Sequence, residues 1–130
     1  MDFDTEPTAF NEYMTVRVDP TDTRILSTTN NGFAAADPTV ASPSLGAAGT
    51  FTDFGPKDQG AMFDINATNT LFPAAGANFT LYYGVAGDTA SATAALAAVG
   101  AKSYAMAKPA TATPPTGAPN TFMFGYKGPA

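Results

Sequence analysis

Apolar and polar residues alternate with a period of two along several short stretches of this chain and switch to helical spacing in one. Phe79, Leu81 and Tyr83 alternate with Asn78, Thr80 and Tyr82, the pattern of a half-buried strand. Gly84 and Gly87 interrupt it, and Asp88 or Thr89 can then accept bonds from the free N–H groups of a first helical turn. Ala92, Ala95, Leu96 and Val99 repeat at helical spacing, which predicts one Ala-rich helix near Thr89–Val99, with Gly100 as its stop. Ala95 and Leu96 are expected to bury against a sheet. Elsewhere the period is that of strands. Met1, Phe3 and Thr5 alternate with Asp2, Asp4 and Glu6, and Pro7 ends the run. Met14, Val16 and Val18 alternate with Thr15 and Arg17, and the turn Asp19-Pro20-Thr21-Asp22 leads to a short run at Arg24–Ser27, so these two strands are expected to form a hairpin.

From Thr28 to Gly49 the pattern dissolves into Asn, Gly, Ala, Pro and Ser, which predicts a long surface loop of the kind that often meets a partner. Phe51–Phe54 reads as a short edge strand, and Ala61, Phe63 and Ile65 alternate after a turn at Gly55–Gly60. Lys102–Ala107 returns to strand, with Tyr104 and Met106 on one face. Pro109, Pro114, Pro115 and Pro119 make residues 108–119 a semi-rigid extended connector. Thr121–Lys127 closes the chain as a strand, with Phe122, Phe124 and Tyr126 facing one way and Met123 and Lys127 the other.

Many short strands, 12 Gly, 11 Pro and one helix give an all-β expectation: an antiparallel β-sandwich, jelly-roll-like, formed as a single domain over residues 1–130. Apolar residues make up 45% of the chain, enough for a core, but much of that share is alanine, so Phe and Tyr must carry the packing. The chain holds no His and no Cys, which removes imidazole acid–base catalysis, thiol nucleophiles, disulfides and the usual zinc or iron ligand sets. Its six basic residues are scattered and the net charge is -5, so no patch invites nucleic acid. No apolar run approaches the roughly 20 residues of a membrane span. No cofactor and no catalytic residue is expected.

Asp2, Asp4 and Glu6, with Glu12 close by, are oxygen donors that could bind calcium. Their strand spacing, and the lack of an Asp-x-Asp-x-Asp-Gly loop, favour a solvated or Arg/Lys-paired face instead. Paired carboxylates could also serve glycoside hydrolysis, but the chain has no Trp to line a cleft. Tyr82, Tyr83 and the Phe122/Phe124/Tyr126 ladder could stack on sugar rings; aromatics at strand spacing are more often core. Gly84-Val-Ala-Gly87 lacks the third glycine and the Lys-Ser/Thr ending of a phosphate loop. Asn66-Ala-Thr68 and Asn78-Phe-Thr80 fit the N-glycosylation pattern, which arises easily in a Thr-rich chain.

Met1–Tyr13, Gly55–Asp64, Leu81–Gly87 and Pro119–Gly128 together resemble a family of secreted bacterial surface proteins, many of which end in a PEP-CTERM sorting segment. The similar segments span nearly the whole chain. The resemblance implies export and a β-rich extracellular domain, and no catalytic site. Phe3 stands where the family often has Trp, and the stretch at Met1 usually lies inside a longer domain. The expectation is therefore a C-terminal portion of a longer extracellular domain, with a signal peptide upstream. The function expected is a non-enzymatic structural subunit of a bacterial surface filament, layer or matrix, its partners being itself and other surface proteins. A virion decoration protein and a carbohydrate-binding module are the alternatives. Edge strands at the two ends place the expected assembly interface on Met1, Phe3, Phe122, Phe124 and Tyr126.

Overall fold

The structure, a computed structural model, describes residues 4–32, 49–58, 60–65 and 80–127. The chain forms β1 (Glu12–Arg17), β2 (Ile25–Thr29), β3 (Phe51–Lys57), β4 (Met62–Ile65), β5 (Thr80–Ala86), α1 (Thr89–Ala98), β6 (Ser103–Pro109) and β7 (Thr121–Lys127). Five strands make one sheet in the order β3-β1-β6-β7-β5, and β2 pairs with β4 in a separate two-stranded ribbon. Every pairing is antiparallel. The described protein is thus all-β apart from one short helix, as its alternation predicts.

The central strands of the sheet are buried on both faces. Met14 and Val16 of β1 stand opposite Ala107 and Ala105 of β6, which in turn face Phe122 and Phe124 of β7. These side chains form one core cluster with Ala61, Phe51 and Phe63, the last tilted against Phe124 at 6.2 Å between ring centroids. Phe63 lies on β4, so the ribbon covers this face. On the opposite face Met106 and Met123 meet Ala92 and Leu96 of α1, with Ala101, Tyr82 and Tyr104 around them. Small residues let the helix lie close. A Cβ built on Gly125 would fall 2.7 Å from Leu96 Cδ2 and 3.0 Å from Ala101 Cβ, so α1 reaches a distance from β7 that only glycine leaves open.

Local chemistry sets the helix ends. Asp88 holds extended backbone, and its Oδ1 accepts from the Ser91 N–H at 2.8 Å. At the far end Gly100 adopts φ +73°, its N–H reaching the Ala97 carbonyl and the Ala101 N–H the Leu96 carbonyl, each at 3.0 Å. That is a Schellman stop, the motif a glycine after the last turn favours. The buried stripe is narrower than expected. Ala92 and Leu96 are buried, one helical turn apart, whereas Ala95 is exposed because a ten-residue helix on a flat sheet touches it along one line.

The hairpin expected of β1 and β2 does not form. β1 takes β3 and β6 as neighbours, and β2 leaves the sheet to pair with β4. The turn between them explains the departure. The Asp19 N–H donates to Ser103 Oγ at 2.9 Å, and Asp22 binds both Arg24 and the Tyr126 hydroxyl, which pins residues 19–24 against the sheet and sends β2 over its face.

The two ends also differ from expectation. Met1, Asp2 and Phe3 lie outside the described residues, and Asp4–Glu6 are turn and coil, not strand. Thr5 is fully buried, and the Thr8 and Asn11 N–H groups close successive turns onto the Thr5 and Thr8 carbonyls. Residues 108–119 are not an extended connector. Lys108 and Pro109 belong to β6, and the remainder folds back: Ala110 N donates to Thr8 Oγ1 at 2.7 Å, and Thr113 Oγ1 shares a hydrogen bond with the Tyr13 hydroxyl. The Thr116 carbonyl accepts from Thr89 N at 3.0 Å. Gly117, at φ +83°, sits so close to Thr121 and Thr89 that a Cβ would fall 2.1 Å from Thr121 Oγ1. Each of these bonds replaces a contact with water by one within the chain, so β7 returns beside β6 as an interior strand. Of the long loop expected at Thr28–Gly49, Thr28 and Thr29 belong to β2, and residues 33–48 lie outside the described set. Its base is tied: Thr28 Oγ1 accepts from Gly49 N at 2.9 Å and donates to Gly49 O at 3.0 Å.

Candidate functional site

Among the described residues, groups of ionisable side chains stand out in three places. The first is acidic. Carboxylate oxygens of Asp4, Glu12 and Asp58 lie within 4.8 Å of one another, brought together from the turn before β1, the start of β1 and the residue after β3. Glu12 is fully buried, while Asp4 and Asp58 are exposed. Of the expected calcium candidates, Asp4 joins this group, Glu6 stands apart and exposed with its carbonyl accepting from Asn120 Nδ2, and Asp2 lies outside the described residues. Asp58 escaped the sequence reading because Gly55-Pro56-Lys57-Asp58 looks like a turn, while β3 in fact runs to Lys57. Three carboxylates offer up to six oxygens, so with water they could complete the six to eight that calcium takes, but acidic groups as exposed as Asp4 and Asp58 are common without an ion.

The second place is the Asp22–Arg24–Tyr126 lock. Arg24 Nε donates to Asp22 Oδ1 at 2.7 Å and Nη2 to Oδ2 at 2.6 Å, a two-point grip on one carboxylate. The Tyr126 hydroxyl donates to the same carboxylate. Arg24 therefore holds the Asp22 pKa below the ordinary aspartate value, against the opposing effect of burial. Burial pushes the Tyr126 phenol up, and its bond to Asp22 adds to the shift. A carboxylate this well satisfied is a poor base at neutral pH, and a phenol so raised stays protonated. The lock is structural.

The third is Lys108 with Asp53. Lys108 is buried on β6 at 4% exposure and its ammonium contacts the Asp53 carboxylate on β3. Thr15 Oγ1 donates to Asp53 Oδ1 and accepts from Asp53 N, both at 3.1 Å. This pair ties the edge strand β3 to the centre of the sheet.

Two clefts flank α1. One of about 420 Å³ opens beside Arg17, Asp19, Leu96, Lys102 and Tyr104. The other, about 230 Å³, lies between α1 and β5, lined by Tyr82, Gly84, Ala95, Leu96, Val99 and Met123. Among the described residues that line them, the one aliphatic hydroxyl, Thr93, donates to the Thr89 carbonyl at 2.8 Å.

The most unusual surface is β5. It pairs with β7 on one side, and no described strand pairs with its other edge. Leu81, Tyr83 and Val85 stand opposite Tyr126, Phe124 and Phe122 and so share their face, yet they are 54%, 67% and 58% exposed. The ribbon that covers β7 does not extend over them. The aromatic ladder expected to form an assembly interface lies instead inside: Tyr126 is buried, Phe122 and Phe124 pack in the core, and β7 is paired on both sides. The expectation of a free edge on the last strand is thus corrected. Among the described strands, the open edge is one further out, on β5. Met1 and Phe3 lie outside the described residues, as do both glycosylation patterns at Asn66 and Asn78. Among family models, curated proteins and solved structures, none matches this chain.

Proposed function

We propose that this chain is a non-enzymatic structural domain of an exported bacterial surface assembly. One observation carries the reading: among the described residues, a seven-residue strand stands at a sheet edge with no charge and no proline, and carries three exposed apolar side chains. Soluble proteins usually blunt such an edge, because its row of free N–H and C=O groups templates pairing with another chain. Two of the ionisable groups point the same way, since Asp22 is paired with Arg24 and Lys108 with Asp53. Export and the extracellular setting rest on the resemblance to secreted surface proteins. A sugar-binding face calls for several exposed aromatics side by side; Tyr83 is flanked on its face by the aliphatic Leu81 and Val85, which suit a protein partner better.

The test is location and assembly in the producing cell. Immunogold labelling is expected to find the protein outside the cell in ordered arrays or filaments. A protein confined to the cytoplasm, or dispersed singly outside it, would refute the reading.

A further inference from the structure

We infer that the partner of β5 is β5 of a second copy, paired antiparallel about a two-fold axis at Tyr83. The inference rests on the assembly reading and names its contact. The two edges of the sheet are not equivalent. β3 carries Asp53, Pro56 and Lys57, its register against β1 shifts twice, and Asp53 and Gly55 take φ +49° and +133°. Bulges, proline and charge are the devices that close an edge to strangers. β5 has none of them: its register with β7 is unbroken from Thr80 to Ala86. β3 offers no regular counterpart, and the ribbon edges are poor ones: β2 has five residues with a register shift between Ile25 and Ser27, and β4 has four and carries Asp64. Among the described strands the matching edge is therefore β5 itself.

The strand is self-complementary in that register. With Tyr83 on the axis, Leu81 of one copy lies opposite Val85 of the other, and the exposed apolar strips merge on one face. On the helix face Tyr82 lies opposite Gly84. That pairing sets a large ring against the one residue of the strand without a side chain, beside the 230 Å³ cleft that Gly84 lines. The cleft is smaller than the roughly 300–1,000 Å³ of small-molecule sites. It lies where the ring of the second copy's tyrosine would go. The contact is isologous, so it closes on itself and joins the two five-stranded sheets into one. A filament or layer then needs a further contact elsewhere, with this dimer as its unit.

The test uses the purified chain in analytical ultracentrifugation. Wild type is expected to sediment as a dimer. Tyr83→Lys sets two like charges opposite each other at an exposed position, and it should raise the dimer dissociation constant about tenfold or more. Tyr83→Glu should do the same, and an equimolar mixture of the two variants should recover the dimer, because in this register residue 83 meets its own counterpart. Gly84→Ala gives a second reading. A Cβ there meets only Met123 Cε and Cγ, at 3.7 and 3.9 Å, which is ordinary contact, so Gly84→Ala is accepted by the fold while it narrows the seat for Tyr82. A weakened dimer is expected, with the melting temperature unchanged when both proteins are measured dilute enough to be monomeric. A monomeric wild type, a Tyr83→Lys chain that dimerises as wild type does, or a Lys/Glu mixture that stays monomeric overturns the inference. If arrays on cells persist with Tyr83→Lys, this contact is refuted and the surface reading stands; if the dimer forms but the protein is never exported, the reverse holds.

Discussion

Replacing Asp53 by Asn removes one charge from a buried pair while keeping the shape of the side chain. Asn also tolerates the positive φ of +49° at this position better than Ala would. What remains is an ammonium on Lys108, 4% exposed and held under the sheet's interior strands, with its carboxylate gone. Breaking a buried ion pair from one side costs about 3–5 kcal/mol. The Asp53 side chain keeps 31% of its exposure, so water already screens part of the attraction, and we expect a loss of about 2–3 kcal/mol. Lys108→Met should behave in the opposite sense. It removes the buried charge and leaves Asp53 in reach of water and Thr15, so its effect should be near zero or stabilising by about 1 kcal/mol. The double variant should then match Lys108→Met, not the sum of the two. Urea unfolding with linear extrapolation measures all three. If Asp53→Asn costs under about 0.5 kcal/mol, the range of ordinary surface changes, the ammonium reaches water by another route and the argument fails.

Two further outcomes follow from the helix and the lock. Leu96→Ala should cost about 2–5 kcal/mol in the same assay, since Leu96 is 2% exposed over Met106, Met123 and Gly125, while Ala95→Ser on the exposed side should stay within about 0.5 kcal/mol. Asp22 has a pKa lowered from the ordinary 3.8, so its contribution to stability is fully present above that value and is lost as pH falls through the lower, folded value. Melting curves taken downward from pH 5 should therefore fall less steeply below about pH 4 in Asp22→Asn than in wild type, and parallel slopes would refute the lock as an acid-sensitive tie.

Most strand positions were legible because the period of two is local, but their ends were not: β5 runs through Gly84 to Ala86, β3 runs past Gly55 to Lys57, and Asp4–Glu6 alternate without forming a strand. β7 begins and ends where the Phe122/Phe124/Tyr126 alternation does, and α1 is framed by Asp88 and Gly100, whose chemistry acts within one turn. Pairing was not legible. Alternation tells which side chains share a face and says nothing of which strand lies alongside, so sequence neighbours β1 and β2 looked like a hairpin. The bonds that part them, from Asp22 to Tyr126 and from Asp19 N to Ser103, span about 100 and 84 residues and leave no local trace. The acidic site was half legible for the same reason. Asp4 and Glu12 stand near each other in sequence, but Asp58 joins them only because β3 folds back along β1.

The open edge was hidden by a related ambiguity. A strand that alternates Phe122, Met123, Phe124 has one large apolar face, and Leu81, Tyr82, Tyr83 has another, so both read as half-buried. What separates them is their place in the sheet. β7 sits between β6 and β5 with the ribbon on one face and α1 on the other, and its alternation is spent entirely on the interior. β5 has the same chemistry with one neighbour fewer among the described strands. Tyr82 turns into the helix face, while Leu81, Tyr83 and Val85 face outward beyond the ribbon, so this strand has the composition of a central strand at an edge position. Burying that strip on association would remove apolar area at roughly 25 cal/mol per Å² without any new polar cost, provided the free backbone groups pair at the same time. Pairing with a strand meets both conditions together, and a loop or a helix laid on the strip would meet only the first.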